Sequence, residues 1–224
     1  MSIVSTVARK ELLELRYNKG VLASIAVFTV VFSIMSPAAS GSELSLMLVS
    51  TMMGMYAAFG ISGQAFSGEK MSGSLETLFC GPVELRELWF GKLAGTLVPA
   101  LVVSYAVVGI ELALAYSNHA ALALSLPVIL YIVAVLPALV AAFIGLMGFI
   151  QLNFDARMTR LLSTVVLVLM IALITAAISL PFEGSLISWQ TVAIIGLAAA
   201  LLLTLPALLV NRLSKERIVL TSEV

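Results

Sequence analysis

Phe66 to Lys92 reads FSGEKMSGSLETLFCGPVELRELWFGK, the one sizeable polar stretch set between two long apolar ones. It carries three of the chain's twelve basic residues (Lys70, Arg86, Lys92) and four of its twelve acidic ones (Glu69, Glu76, Glu84, Glu87). Everything around it reads as lipid-facing helix. A charged island between two membrane spans is a place where a membrane protein can meet a soluble partner.

The spacing inside the island predicts two short helices. Gly73 and Ser74 can start the first, which puts Leu75, Leu78 and Phe79 on one face at i, i+3 and i+4. Glu76, Thr77 and Cys80 point the other way. Gly81 followed by Pro82 is a stop signal. The second helix starts near Glu84, with Glu87 in its first turn where a carboxylate favours the positive end of the dipole. It runs through Leu88, Trp89 and Phe90 into the next apolar stretch, and Trp89 with Lys92 suits an anchor at the membrane interface. An amphipathic connector lying on the membrane and a helix that docks a partner share this pattern, so the residues alone leave both open.

The same run resembles the cytoplasmic loop of ABC transporter permeases of the type-2 exporter superfamily. The pattern there is an acidic-basic pair, Gly-[Ser/Thr]-Leu-Glu, a proline, then Glu-Leu and Gly-Lys leading into the third span. Here these are Glu69-Lys70, Gly73-Ser74-Leu75-Glu76, Pro82, Glu87-Leu88 and Gly91-Lys92. Glu84 departs from the Ser or Thr that often caps the second helix. The resemblance implies that the helix from Gly73 to Gly81 couples the membrane part to a separate ATPase subunit. Glu69, Lys70, Gly73, Ser74, Leu75, Glu76, Leu78, Phe79 and Pro82 would be its coupling residues.

Composition points to the same class on independent grounds. With 61% hydrophobic and 11% charged residues and a mean hydropathy of +1.14, the 224-residue chain does not read as a soluble domain. A single cysteine excludes an intramolecular disulfide and a cysteine-built metal cluster, and one histidine, His119, leaves no histidine cluster. No metal site is expected. The first residues are too charged for the apolar core of a cleaved signal peptide.

Ser2 to Lys19 reads as an interfacial elbow helix, with Val4, Ala8, Leu12 and Leu15 on one face and Arg9 and Arg16 across from it. A basic anchor that sets topology fits the same residues. Six apolar stretches follow, near 21–39, 44–65, 93–116, 122–152, 161–180 and 191–210, each near or above the roughly 20 residues that cross a bilayer. The fourth is long for one upright span, and Pro127 and Pro137 predict kinks in it. By the resemblance, the region between the fifth and sixth spans would fold as short re-entrant helices.

The basic residues set the orientation. All twelve fall before the first stretch (Arg9, Lys10, Arg16, Lys19), between the second and third (Lys70, Arg86, Lys92), between the fourth and fifth (Arg157, Arg160) or after the sixth (Arg212, Lys215, Arg217). The alternate loops have none. The positive-inside rule then places both termini and the 67–92 loop in the cytoplasm. The expected fold is a single all-α integral membrane domain over 1–224 with six spans, N-in and C-in, preceded by the elbow helix.

Within the expected spans, Ser50, Gly54, Ala58 and Ser62 recur at i+4 and form a small-residue ridge. Such ridges let helix backbones approach closely, for packing within the chain or as a dimer or pathway surface. Met47, Met52, Met53 and Met55 read as adaptable filler or as part of an apolar binding surface. Glu111 is the only ionisable residue deep in an expected span, in its outer third; it reads either as an interfacial carboxylate reaching the headgroups or as a polar residue on an exit path. Gln64 reads as a polar residue near a helix end.

No catalytic constellation emerges. No Gly-x-x-x-x-Gly-Lys-[Ser/Thr] occurs, and Gly60-Ile61-Ser62-Gly63 does not match a nucleophile elbow, so the chain is not expected to be an enzyme or to hydrolyse ATP itself. The resemblance implies a permease subunit of an ATP-driven exporter in a prokaryotic plasma membrane. It would pair with a second copy or a paralogue and with ABC ATPase subunits that hold the ATP and magnesium, and would need no cofactor of its own. Almost charge-free spans fit an apolar or amphipathic substrate. A channel, or a membrane anchor transmitting force in a larger complex, is the alternative. Nothing points to nucleic acid.

Overall fold

Ser42 starts the most enclosed of the described span-length helices by accepting a hydrogen bond at its side chain from the Ser45 amide, 3.1 Å away, while Glu43 sits in the first turn at the positive end of the dipole. The structure, a computed structural model, describes residues 3–35, 42–68, 84–118, 124–154, 156–179 and 189–209. The described residues are almost wholly helical, with no strand among them. In order they form α1 (Ile3–Tyr17), α2 (Lys19–Met35), α3 (Glu43–Ser62, continued by a π-helical turn Gly63–Gly68), α4 (Leu85–Ser117), α5 (Leu126–Leu130), a second π-helical turn (Tyr131–Val135), α6 (Leu136–Asn153), α7 (Ala156–Ser179) and α8 (Trp189–Leu209).

Five of the described stretches are long and apolar enough to cross a membrane: Glu43–Gly68, Leu85–Ser117, Leu126–Asn153, Met158–Ala176 and Trp189–Leu208. The pair α1 and α2, bent by 78° at Asn18, would be a sixth if taken as one span. The chain is thus a helical, multi-pass membrane protein.

Burial sorts the helices into inner and outer. α3 packs against both α4 and α6, α8 packs chiefly on α6, and α1 chiefly on α4. The core runs between α3, α4 and α6 through Leu46, Met47, Met55, Phe143, Ile144 and Met147, all fully buried. Lipid offers no hydrophobic drive between helices, so close packing and internal hydrogen bonds hold such a bundle. Two of the inward hydroxyls are returned to their own helices: Ser50 donates to the Leu46 carbonyl at 2.7 Å, Ser104 to Ala100 at 3.1 Å. Phe28, Tyr56 and Phe32 stack between α2 and α3, with Phe28–Tyr56 ring centres 4.4 Å apart.

The small-residue ridge of α3 serves contacts within the chain. Ser50, Gly54, Ala58 and Ser62 are all buried, and a Cβ on Gly54 would overlap the Ser104 hydroxyl and crowd Val140. Of the α3 methionines, Met47, Met53 and Met55 are buried in the core as filler, and Met52 packs beside Val49, Met53 and Val107.

Pro127 and Pro137 act differently from the expected pair of kinks. Pro127 lies in the first turn of α5, where its missing N–H costs nothing. Between the two prolines the helix widens into the π-helical turn, closed by the Leu136 N–H donating to the Tyr131 carbonyl. In that register the Ile132 carbonyl faces residue 137, a proline with no N–H to give. The Tyr105 hydroxyl donates to it instead, at 3.3 Å. One face of the turn also puts Tyr131 against Thr51 of α3, 2.5 Å between hydroxyls.

Candidate functional site

α1 reaches the bundle because α4 carries two glycines one turn apart. A Cβ on Gly91 would stand 2.7 Å from the Val7 Cβ, and one on Gly95 would stand 2.8 Å from the Glu11 Cβ and 3.0 Å from the Ala8 carbonyl oxygen. Backbone therefore meets backbone across Gly91-x-x-x-Gly95, as in close membrane helix pairs. The packed face of α1 is Val4, Val7, Ala8, Glu11 and Leu15. This corrects the expected face: Leu12 stays 37% exposed and Glu11, at 6%, takes its place inside.

Glu11 is drawn inside by Lys92, which lies between the two glycines. The Lys92 ammonium donates to Glu11 Oε1 at 2.8 Å and to the Ala65 carbonyl of the π-helical turn that ends α3. It also stands 5.5 Å over the Phe66 ring, a cation–π contact. Only 1% of Lys92 is exposed. Either ion buried alone would cost several kcal/mol, and the pair offsets this by direct contact and by the carbonyl that takes a further ammonium proton. A cation also suits the last carbonyls of a helix, where the dipole is negative.

Lys92 and Trp89 were expected at the membrane interface; both are instead buried. Each has a specific receptor. Trp89 is 1% exposed, meets Phe90 edge-on at 4.9 Å, and lies so close to Gly145 of α6 that a Cβ there would be 3.2 Å from the ring. Gly148, one turn on, makes room for the Phe66 ring. Two aromatic rings seated on two glycines thus key α3 and α4 onto α6. Arg86 stays outside, 5.6 Å over the Phe90 ring.

Beside the ion pair a cleft of about 470 Å³ opens between α1, the end of α3 and α4, with Lys10, Glu11, Glu14, Gln64 and Thr96 in its walls. Gln64 bridges it, its Oε1 accepting from the Asn18 side-chain Nδ2 at 3.1 Å. Asn18 is the residue at the 78° bend, so the bend is tied to α3.

Of the residues singled out by sequence, Glu69, Lys70, Gly73, Ser74, Leu75, Glu76, Leu78, Phe79 and Pro82 lie outside the described residues. Their two roots, Gly68 and Glu84, lie inside them. Glu84 takes the extended N-cap conformation of α4 but makes no side-chain capping bond. Leu85 to Lys92 form the first turns of α4, and Leu85, Leu88, Trp89, Gly91 and Lys92 are buried there. Glu111 is 1% exposed on the inward side of α4, with Val107, Val108 and Ala115, and so does not reach out toward headgroups. Among the described residues no group of His, Cys, Asp and Glu could hold a metal ion.

Sequence reasoning missed the Glu11–Lys92 pair. Its signals were the glycine spacing around Lys92 and an acidic residue between Ala8 and Leu15 on an otherwise apolar face. No protein-family model and no curated protein matches this chain.

Proposed function

We propose that the chain is the membrane permease subunit of an ATP-driven ABC exporter, and that the segment between α3 and α4 is its coupling element. The observation carrying this reading is the run of spaced motifs from Glu69-Lys70 to Gly91-Lys92, set between two span-length helices whose facing ends are fixed to α1 and α6 by buried contacts. A coupling element needs rigid roots; a loose connector does not. Two such subunits would face each other across the membrane path, with a pair of ATPase subunits on the cytoplasmic side and an apolar or amphipathic substrate between.

Leu75, Leu78 and Phe79 are the anchors that fill a groove on the ATPase or fix the helix to the bundle. A few buried anchors carry most binding energy at such contacts, often about 2 kcal/mol or more each. Leu78→Asp and Phe79→Asp should therefore abolish substrate-stimulated hydrolysis by a co-expressed ABC ATPase while the permease still inserts. Glu76→Ala should weaken it less, because one rim charge contributes little once screened. Full co-purification and full stimulated turnover in both Asp variants would leave the segment a surface connector and favour the channel or anchor reading.

A further inference from the structure

We infer that Lys92 is a positioning residue: it joins α1 and both roots of the 69–83 segment into one mechanical unit. The inference rests on the proposed function for what that unit transmits, but not for its existence. One ammonium touches three elements that are far apart in sequence, at Glu11 of α1, at the Ala65 carbonyl one turn before the root Gly68, and from its own place two turns after the root Glu84. The Phe66 ring beneath it is seated on Gly148, which extends the unit to α6.

Stability alone is a poor reason for such a pair. A buried ion pair is generally no more stabilising than apolar side chains of the same volume, and its best-attested use is to fix register. Register is what this place requires. α1 lies on bare backbone at Gly91 and Gly95, a smooth surface along which a helix could slide or turn. The ion pair between those two glycines selects one position. A compact ammonium with three rotatable donors reaches a carboxylate, a carbonyl and a ring face together.

The consequence lies in α2. Because α1 meets α2 at a 78° bend, and Asn18 at that bend is bonded to Gln64 beside Ala65, a displacement of either root re-aims α2 instead of being lost at the segment's ends. Lys92 thereby lets a push on the 69–83 segment reach the first membrane helix as well as α3 and α4.

The test uses the full chain in membranes with the co-expressed ABC ATPase. Asn18→Cys and Gln64→Cys in a Cys80→Ser background report by oxidative cross-linking whether the bend stays against α3. Glu11→Leu with Lys92→Met removes both charges of the pair together, and membrane insertion with thermal unfolding checks that the variant folds; Glu11→Gln, which keeps an acceptor, is the milder variant. The expected result is fast cross-linking with the native pair, several-fold slower with Glu11→Gln and slowest with the double variant. ATPase stimulation, measured in parallel chains that keep Asn18 and Gln64, is lost in the same order, with assembly intact. Unchanged cross-linking in the double variant overturns the positioning role. Slower cross-linking with full stimulation overturns transmission through α1. If no ATPase associates with the unaltered chain, the exporter reading falls and transmission with it, while the cross-linking rates still decide whether Lys92 holds α1 to the roots.

Discussion

At one end of α3, Glu43 accepts hydrogen bonds from the Ser125 amide at 2.5 Å and the Ser125 hydroxyl at 3.0 Å, which ties α3 to the start of α5. At the other end, the Ala65 carbonyl accepts from Lys92, which also holds Glu11. Both ends use a carboxylate, but the surroundings differ. The Glu43 contact is half-buried and joins two elements; water can replace either bond. The Lys92 contact is 1% exposed and joins three, so bulk water has little access to stand in for a lost partner. The tighter constraint lies at the end from which the 69–83 segment leaves, as a segment that receives force from a partner would require.

Breaking the buried side of this comparison should have the largest effect. Lys92→Met takes the ammonium away from the buried Glu11 carboxylate and should cost about 3–5 kcal/mol of stability, the usual consequence of halving a buried pair. Thermal unfolding in detergent measures it, and a loss below about 1 kcal/mol would mean that water reaches the pair. Gly95→Leu comes next, because a side chain there must push α1 away; overpacking of this kind costs about 1–3 kcal/mol. Protease protection of α1 should fall along with the unfolding temperature.

At the opposite end the losses should be smaller. Glu43→Ala removes two hydrogen bonds that solvent can partly replace, for about 1 kcal/mol. If it matched Lys92→Met, the two ends would be equally sealed and the contrast would vanish. Smallest of all is Glu14→Ala. Its ion pair with Lys10, 3.4 Å long, is on the exposed side of α1, and such pairs contribute under about 0.5 kcal/mol.

Much of this architecture was legible in the sequence because lipid leaves few choices. Apolar runs of span length must be helices, and the bend between α1 and α2 follows from a charged amphipathic stretch meeting an apolar one. The π-helical turn was only half legible: the prolines marked the place, but the choice between a kink and a widened turn depended on Tyr105 and Thr51 reaching it from other helices. Trp89 and Lys92 were misplaced for a related reason. Each looks like an interface residue by type, and only the glycines at 91, 95 and 145 make room for them inside. Pairing across 81 residues of sequence, as between Glu11 and Lys92, has no periodic signature. A helical face shows which residues turn inward and not what they meet.

An ATPase could engage the charged end of the bundle, with the 69–83 segment, only if that end faces the cytoplasm. Surface labelling tests this most directly. In a Cys80→Ser background, single cysteines at Ser117 and Ser185 should react with an impermeant thiol reagent added outside intact cells, and a cysteine at Ser72 only after permeabilisation. Labelling of Ser72→Cys from outside, with Ser117→Cys protected, would put the segment on the outer side and rule out its engagement by an ATPase.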